Sequence, residues 1–465
     1  MKLRKLLENS FVGDDLVIDS IKVHSKTIEY SYLESLVDIK NINKMVLYPI
    51  RKLSYSNLKH LDLYLPNCHI QRIHDTQVND YLGNGFLIIN CFSIFAIEFK
   101  ANLSRGIPTI ESELSLSGPK DSFSEVYQVN LGLIRRRIKS KNLSEEILSI
   151  GRYTKTKVTI LSIKGIVKPD LVRHIKENLS KIDIDGIIDS SYLRYSLENK
   201  FHLFPTIMMS ERPDKCSMAL LEGKAVVLVD NSPYALILPS FFFDYFHTAD
   251  DYYQKSFNAS FIRIIRFLAF LIAIFVPAFY ISVTTRDYSL IPLKLLLMLK
   301  AGRSFVPFPA YLEALFMIVC FEILKESDLR MSTTSGSAIS ILGGLILGDA
   351  AVAAGIVSPI MIIVIAISSI SGLIFTSIEL GNALRTYKIL LLLLASLFGI
   401  YGIIFGTGLL LYDLYSTEIF GYNYFIFDKN ELRDSLIKID SDISYRNTKL
   451  SNNTIRGRYR KWRDT

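Results

Sequence analysis

The chain has 465 residues, a hydrophobic fraction of 50% and a net charge of +8, which predicts two or three domains. Its four cysteines form no CxxC pair, so neither a disulfide framework nor a metal site is expected. The sequence contains no Walker loop, GxGxxG, HExxH or GxSxG motif, which argues against an enzyme and against a bound cofactor.

The first 255 residues carry ordinary charge and are numerous enough to bury a core of their own. Two glycine-led segments, 83–99 and 223–238, each contain two apolar runs joined by a polar turn, which is typical of a β-hairpin. Their similarity predicts a mixed α/β region made of two related subdomains, residues 1–110 and 111–255. Within the first subdomain, residues 31–39 are expected to form an amphipathic helix.

A basic helix is predicted in the second subdomain, after the chain break at Gly118 and Pro119. Asp121 or Ser122 can cap this helix, and apolar residues then recur at helical spacing. Three consecutive arginines occupy its last turn: Arg135, Arg136 and Arg137. Two interpretations remain open: a solvated helix end, or a clamp on anionic lipid headgroups or on a neighbouring subunit.

A second helix with proline in its first turn is predicted later in this subdomain. The residues that introduce it are Glu211, Arg212, Pro213 and Asp214. Proline suits the first turn because the N–H that it lacks has no partner there in any case. We expect this helix to end at Gly223, which completes a mixed α/β pattern.

Several long uncharged runs lie within residues 256–413. The runs 267–285 and 389–412 are each long enough to cross about 30 Å of hydrocarbon, which takes roughly 20 residues. We therefore predict an all-α polytopic membrane domain with four to six transmembrane or re-entrant helices, followed by a basic tail at 414–465. Five apolar segments are visible, near 261–285, 305–324, 334–356, 357–378 and 388–412.

Charges beside the apolar region predict its orientation. The first residues, MKLRKLLENSF, have no apolar run after their basic residues, so we expect no signal peptide. Arg263 and Arg266 precede the first run and the tail is strongly basic, so both flanks are expected in the cytoplasm. That orientation requires an even number of spans, and segment 305–324, with its prolines and acids, is the expected exception.

Two rows of small residues are expected to support close packing between helices, because lipid supplies no hydrophobic drive for helix association. The first row is Gly336, Ser340, Gly344 and Gly348, and the second contains Gly399, Gly402 and Gly406. Packing within one chain and packing between the subunits of a ring both remain open.

Three carboxylates in or beside the apolar runs are candidates for an ion path or a gate: Asp349, Glu313 and Glu322. An ionisable group at membrane depth is costly, so it usually faces protein or water and often marks an ion path. Glu379 is expected to be an ordinary interfacial residue, because Arg385 and Lys388 follow it closely.

Taken together, these residues resemble the A subunit of the GerA-type spore germination receptors, over nearly the whole chain. The stretches that carry the resemblance include SGPKDSF at 117–123, Asn130 with the arginines at 135–137, ERPD at 211–214, AGIVSP at 354–359 and GIYG at 399–402. The chain departs from the family pattern at Asp349, where glutamine is common, and at Ala353, where an acid is common.

The resemblance implies a non-enzymatic sensor component in the inner membrane of a bacterial spore. The implied partners are a permease-like B subunit that binds the nutrient and a lipoprotein C subunit. The A subunit itself is implied to form a homo-oligomeric ring that passes cations when the germinant binds. Membrane lipid is also an expected partner, and nucleic acid is not.

Two other functions remain open. A secondary transporter should show paired repeats with interrupted helices in corresponding positions, whereas one glycine-rich segment here lacks a counterpart. A structural scaffold for a partner transporter would share every feature except the intramembrane acids. Within the resembled family, a nutrient receptor and a paralogue that amplifies germination both fit the sequence.

Overall fold

The computed structural model describes residues 3, 7, 15–23, 26–53, 58, 61–65, 69–99, 113, 118–199, 202–330, 344, 346–375, 377–425, 437–438 and 450–451. They form two compact units. The α/β unit takes its residues from Met1–Asn199, Thr206–Ser240 and Ile439–Thr465, and the helical unit from Lys200–Pro205 and Phe241–Lys438.

The α/β unit contains two five-stranded antiparallel sheets. The first consists of β1 (Leu16–Val23), β2 (Lys26–Leu33), β3 (Ile70–Ile73), β4 (Phe86–Asn90) and β5 (Ile94–Glu98), in the order β1-β2-β4-β5-β3. The second consists of β6 (Leu143–Ile150), β7 (Thr156–Ile163), β8 (Met208–Ser210), β9 (Ala225–Val229) and β10 (Ala235–Leu238), in the order β6-β7-β9-β10-β8. The strand order is the same in both sheets, which confirms the prediction of two α/β subdomains with matching hairpins.

Short helices flank both sheets. In chain order they are α1 (Ile39–Ile42), a π-helix (Asn43–Leu47), α2 (Tyr48–Lys52), α3 (Leu61–Tyr64), a 3-10 turn (Asp75–Gln77), α4 (Val78–Gly83), α5 (Tyr127–Arg137), α6 (Pro169–Ser180), α7 (Ser190–Leu197) and α8 (Pro213–Glu222). As predicted, α8 begins at a proline and ends at Gly223, whose φ of 97° lies in the left-handed region that glycine adopts easily.

Two local predictions for this unit are wrong. Residues 31–33 end strand β2 instead of starting an amphipathic helix, because KTIEYSYL pairs with β1 along its whole length. Tyr30 packs into one apolar cluster and Leu33 into the other, as successive strand residues point to opposite faces. The basic helix begins at Tyr127, beyond both predicted caps, since the chain at Ser122–Ser124 is held by hydrogen bonds to Glu211 and Asn130.

The central hairpin of the first sheet is buried on both faces. Leu87 and Ile89 pack into one apolar cluster, while Phe86 and Ile88 pack into another on the opposite side. Successive strand residues point to opposite faces of the sheet, so the sequence of a strand with an apolar core on each side is a continuous apolar run. This arrangement explains the sequence FLIIN.

The helical unit is built around one long helix. Its elements are a 3-10 segment (Phe242–Phe246), α9 (Ala249–Tyr253), α10 (Ser256–Thr285), a 3-10 turn (Tyr288–Leu290), α11 (Leu293–Gly302), α12 (Ala310–Arg330), α13 (Pro359–Gly372), α14 (Ile378–Phe398), α15 (Ile400–Ser416), β11 (Glu418–Ile419) and β12 (Tyr422–Asn423). Residues 346–353 are also helical. Helix α10 packs against α12, α13, α14 and α15.

By length and composition, α10 and α14 are the two helices among the described residues that are able to cross a membrane.

The single span expected from the uncharged run 389–412 is wrong. The run divides at Gly399, whose φ of 62° interrupts the helix, and α14 and α15 lie on either side. The Asp287 carboxylate accepts a hydrogen bond from Ile400 N at 2.8 Å, and a Cβ at Gly399 would overlap that carboxylate. Glycine is therefore required at the bend.

Candidate functional site

The three candidate carboxylates of the helical unit lie in different environments. Glu313, in the first turn of α12, is 1% exposed and accepts a hydrogen bond from Arg303 Nη2 at 2.8 Å. Its second oxygen accepts the backbone N–H of Ser358 at 3.1 Å. Glu313 thus connects the residue after α11, helix α12 and the start of α13, and its charge is compensated.

Glu322 lies two turns farther along α12 and lines a cavity of about 570 Å³ between the helices. Its carboxylate pairs with Arg385 Nη2 at 2.8 Å, so that α12 and α14 are joined by an ion pair. The charged residues of the cavity wall are Glu322, Lys325, Arg385 and Lys388. Cations therefore outnumber the carboxylate at this cavity.

Asp349 is exposed and lies about one turn before the end of the helical residues 346–353. Among the described residues it has no hydrogen bond or ion pair. A carboxylate near the C-terminal end of a helix also faces the negative end of the helix dipole. The chain then bends at Gly355, where φ is 66° and a Cβ would lie 3.2 Å from Phe305 O.

The second row of small residues packs against its own chain. A Cβ at Gly402 would overlap Leu394 O, and one at Gly406 would overlap the Leu391 side chain. Since residues later in α15 meet residues earlier in α14, the two helices form an antiparallel hairpin. The backbones approach closely because these positions carry no side chain.

The first row of small residues has a more open environment. A Cβ at Gly344 would lie 3.7 Å from the Leu324 side chain, which is an ordinary contact. At Gly348 no described atom lies within 4 Å of an added Cβ. Gly336 and Ser340 lie outside the described residues.

In the α/β unit, the motif residues around α8 form one buried network. The Arg212 guanidinium donates to both Asp214 oxygens, at 3.0 and 2.8 Å, and also to the backbone oxygens of Glu113 and Pro119. The Glu211 carboxylate accepts from Glu113 N at 2.9 Å. Gly118 adopts a φ of 107° beside Pro119, and Pro213 occupies the first turn of α8. These side chains hold the segment before α5 against α8.

Asn130 fixes the same segment from within α5. Its side chain accepts Ser124 N at 2.8 Å and donates to Ser124 O at 2.6 Å, and it is 2% exposed. The side-chain amide thus satisfies both polar groups of one buried backbone residue, where an unpaired group would be costly.

Neither interpretation of the arginine-rich helix end holds for Arg135. Its guanidinium is 2% exposed and pairs with Asp15 at 2.8 Å and with Glu145. Arg137 pairs with Asp121 at 2.6 Å, and only Arg136 of the three is exposed. The sequence pattern associates neither partner with α5, because Asp15 lies far earlier in the chain and Glu145 lies on strand β6.

Burial raises the pKa of Glu145 to about 7, because the desolvation of its charged form outweighs the attraction of Arg135. The nearby Asp15 carboxylate raises the pKa further. The cluster contains two carboxylates and one guanidinium, so one negative charge has no buried counterion within it. This environment favours a proton on Glu145.

The start of α10 also contains a compensated cluster. Asp251 is 1% exposed and accepts from Arg266 Nη1 at 2.7 Å and from Arg263 Nε at 3.2 Å. Burial by itself would raise the pKa of Asp251, but the hydrogen bonds and charge of Arg266 outweigh it, and the pKa lies below its usual value. Arg263 and Arg266 therefore anchor the segment before α10 in addition to marking the end of an apolar run.

Sequence reasoning missed the cavity cations. The sequence placed Lys388 at the start of an apolar segment, whereas α14 begins at Ile378 and Lys388 lies in its interior. Lys388 is 7% exposed and lines the cavity. A basic residue inside an otherwise apolar helix is the signal that could have identified this site. In the described part of the chain, no group of three His, Cys, Asp or Glu side chains is placed to hold a metal ion.

Comparison with known proteins finds similarity to spore germination proteins. A model of the family "Bacillus/Clostridium GerA spore germination protein" matches residues 1–449. Spore germination protein KA of Bacillus subtilis (strain 168) is 33% identical over 444 residues, which cover 92% of this chain and 82% of that protein. Spore germination protein GerQA of Bacillus cereus is 32% identical over 472 residues, covering 98% of this chain and 93% of that protein.

The matches include a solved structure. It is the crystal structure of the N-terminal domain of the A subunit of the Bacillus megaterium spore germinant receptor GerK3. The match has 26% sequence identity and a TM-score of 0.39, and it covers 51% of this chain and 92% of that domain.

Proposed function

Since the chain belongs to the Bacillus/Clostridium GerA spore germination protein family, we propose that it is the A subunit of a spore germinant receptor. In this role a partner subunit binds the nutrient, and the chain converts that binding into the cation release that starts germination. The family match over residues 1–449 and the names of the relatives support a role in germination. The proposal assigns the chain no enzymatic step.

The proposed location is the spore inner membrane, with the α/β unit and the C-terminal tail in the cytoplasm. The length and apolar composition of α10 and α14 support a membrane location. The basic tail supports its cytoplasmic placement through the positive-inside rule. The proposed partners are a permease-like B subunit, a lipoprotein C subunit, further copies of this chain and membrane lipid.

The environment of Asp349 carries the proposal of a cation path. Glu313 and Glu322 are each paired with an arginine, whereas Asp349 is exposed and has no partner among the described residues. Carboxylates contributed by several copies to one ring would attract cations, as charged rings do in cation channels. We therefore assign the path to Asp349, and a supporting role to the two glutamates.

Potassium release from dormant spores after nutrient addition tests this assignment. Asp349→Asn should fold normally, because the side chain is exposed, and should slow potassium release by about ten-fold through loss of the ring charge. Asp349→Glu keeps the charge and should release potassium at nearly the rate of the unsubstituted protein. Normal release from Asp349→Asn, in spores with normal amounts of the protein, would contradict the assignment.

A further inference from the structure

The cavity beside Glu322 has a composition that the proposed cation path does not explain. Helix α12 contributes Glu322 and Lys325, and helix α14 contributes Arg385 and Lys388. Three cations thus face one carboxylate. A cavity with this balance repels cations and attracts an anion.

Two donors at this cavity lack partners. Lys388 is 7% exposed, and its ammonium has no hydrogen bond or ion pair within the described ranges. Arg385 pairs with Glu322 through Nη2, while its Nε–H is buried and has no hydrogen-bond partner in the described structure. An unpaired cation such as Lys388 within an apolar helix is costly, and the Arg385 Nε–H is a buried donor without an acceptor among the described residues, so a ligand that supplies negative charge would stabilise both groups.

Apart from Ser368 and Ser369, the rest of the wall is apolar, and it leaves open space. Leu324, Leu373 and Leu384 line the cavity together with Gly372 and Gly381. At the two glycines no described atom lies within 4 Å of an added Cβ, so the space in front of them is open. A ligand that fills this cavity therefore needs an anionic group at one part and hydrocarbon at another.

We propose that this cavity binds an anionic phospholipid, with the phosphate between Lys388 and Arg385 and an acyl chain against the leucines. A lipid fits better than a free anion because the apolar wall would gain nothing from a small hydrated ion. The inference rests on the cavity alone and holds whether or not Asp349 lies on a cation path.

Native mass spectrometry of the full chain in detergent, titrated with phosphatidylglycerol or phosphatidylcholine, tests the proposal. We expect one saturable site that prefers phosphatidylglycerol. Lys388→Met keeps the side-chain length without the charge and should weaken that binding by about ten-fold or more, as for loss of a charged hydrogen bond. Equal affinity for the two lipids, or unchanged affinity in Lys388→Met, would overturn the proposal.

Two further variants separate the cavity from general charge effects. Gly381→Leu keeps every charge but fills the open space, and it should weaken phosphatidylglycerol binding to a similar extent. Lys294→Met removes an exposed cation on α11, away from the cavity wall, and should leave binding unchanged. Equal loss of binding in Lys294→Met would indicate non-specific attraction and overturn the site. Displacement of the lipid by millimolar inorganic phosphate would overturn the assignment to a lipid.

Discussion

The Arg135 guanidinium lies between two carboxylates, Asp15 and Glu145, and all three side chains are withdrawn from water. The Asp15 carboxylate also accepts Ser35 N and Ser35 Oγ, both at 2.8 Å. The cluster therefore ties the turn after β2 to helix α5 and strand β6, and so connects the two subdomains. Because one carboxylate is in excess, its stability must depend on pH.

Glu145 should make the α/β unit less stable as pH rises. Its pKa of about 7 in the folded chain lies above the ordinary value of 4.5, so the folded state binds the proton more tightly. The resulting contribution is complete below about pH 4.5 and is lost as pH rises through about 7. Calorimetry in detergent should show the native chain losing on the order of 1–3 kcal/mol relative to Glu145→Gln between pH 5 and 8.

Glu146→Gln is the matched control for this prediction. Glu146 is the next residue on β6, and it pairs with Lys176 at the surface. Its replacement should leave the pH dependence of unfolding unchanged. If Glu145→Gln and the unsubstituted chain show parallel pH profiles, the proton is not on Glu145.

Glu313 and Glu322 should differ in how much they stabilise the helical unit. Glu313→Gln leaves Arg303 with a buried neutral partner and should cost about 2 kcal/mol or more. Glu322→Gln should cost less than about 1 kcal/mol, because its pair with Arg385 is partly exposed. Melting temperatures of the two variants in detergent measure the difference, and a larger loss for Glu322→Gln would contradict the assignment.

At the scale of elements, the hairpin of α14 and α15 depends on backbones that touch. Gly402 faces Leu394 O, and the Tyr387 hydroxyl donates to Asp413 at 2.7 Å nearer the open ends of the hairpin. Asp413 also contacts His202 Nδ1 at 2.7 Å. The hairpin is thus closed by glycine at one end and by polar side chains at the other.

Gly402→Ala should separate α14 from α15. The added Cβ would meet backbone that cannot rotate away, and such overpacking costs about 1–3 kcal/mol. Gly408→Ala on the same helix is the control, since no described atom lies near its Cβ and alanine favours helix by up to about 1 kcal/mol. Thermal unfolding should therefore move in opposite directions for the two variants, and equal shifts would refute close packing at Gly402.

At the scale of the whole molecule, the hairpin changes the count of apolar segments. The sequence shows five, with the last counted once, and dividing that segment at Gly399 yields six. An even number is what two cytoplasmic flanks require. The proposed orientation of the α/β unit and the basic tail therefore requires that all six segments, including 305–324, or an even number of them cross the membrane.

Cysteine labelling of intact membranes tests that orientation. In a chain without its native cysteines, Tyr153→Cys places a thiol at a position that is 83% exposed. It should react with an impermeant reagent only after the membrane is opened. A cysteine in the tail beyond residue 451 should behave in the same way, and labelling of either site from outside would refute the even-span arrangement.

Composition and local sequence pattern were sufficient to predict several features of this protein. Alternating apolar residues around polar turns predicted both central hairpins, proline and glycine bounded α8, and the family resemblance followed from short motifs in order. These features depend on neighbours within a few residues, where periodicity and backbone preference act. Charge density by itself likewise separated the α/β region from the helical one.

The partners of the charged side chains depended on the tertiary structure. Arg135 finds Asp15 across 120 positions of sequence, and Arg385 finds Glu322 across 63. From the sequence alone, an arginine at a helix end is expected to be solvated, whereas packing can bring a carboxylate to it. Lys388 is similarly expected at the start of an apolar segment, whereas α14 begins earlier in the chain. The desolvation of a charge is a property of everything packed around it, which no local window of sequence contains.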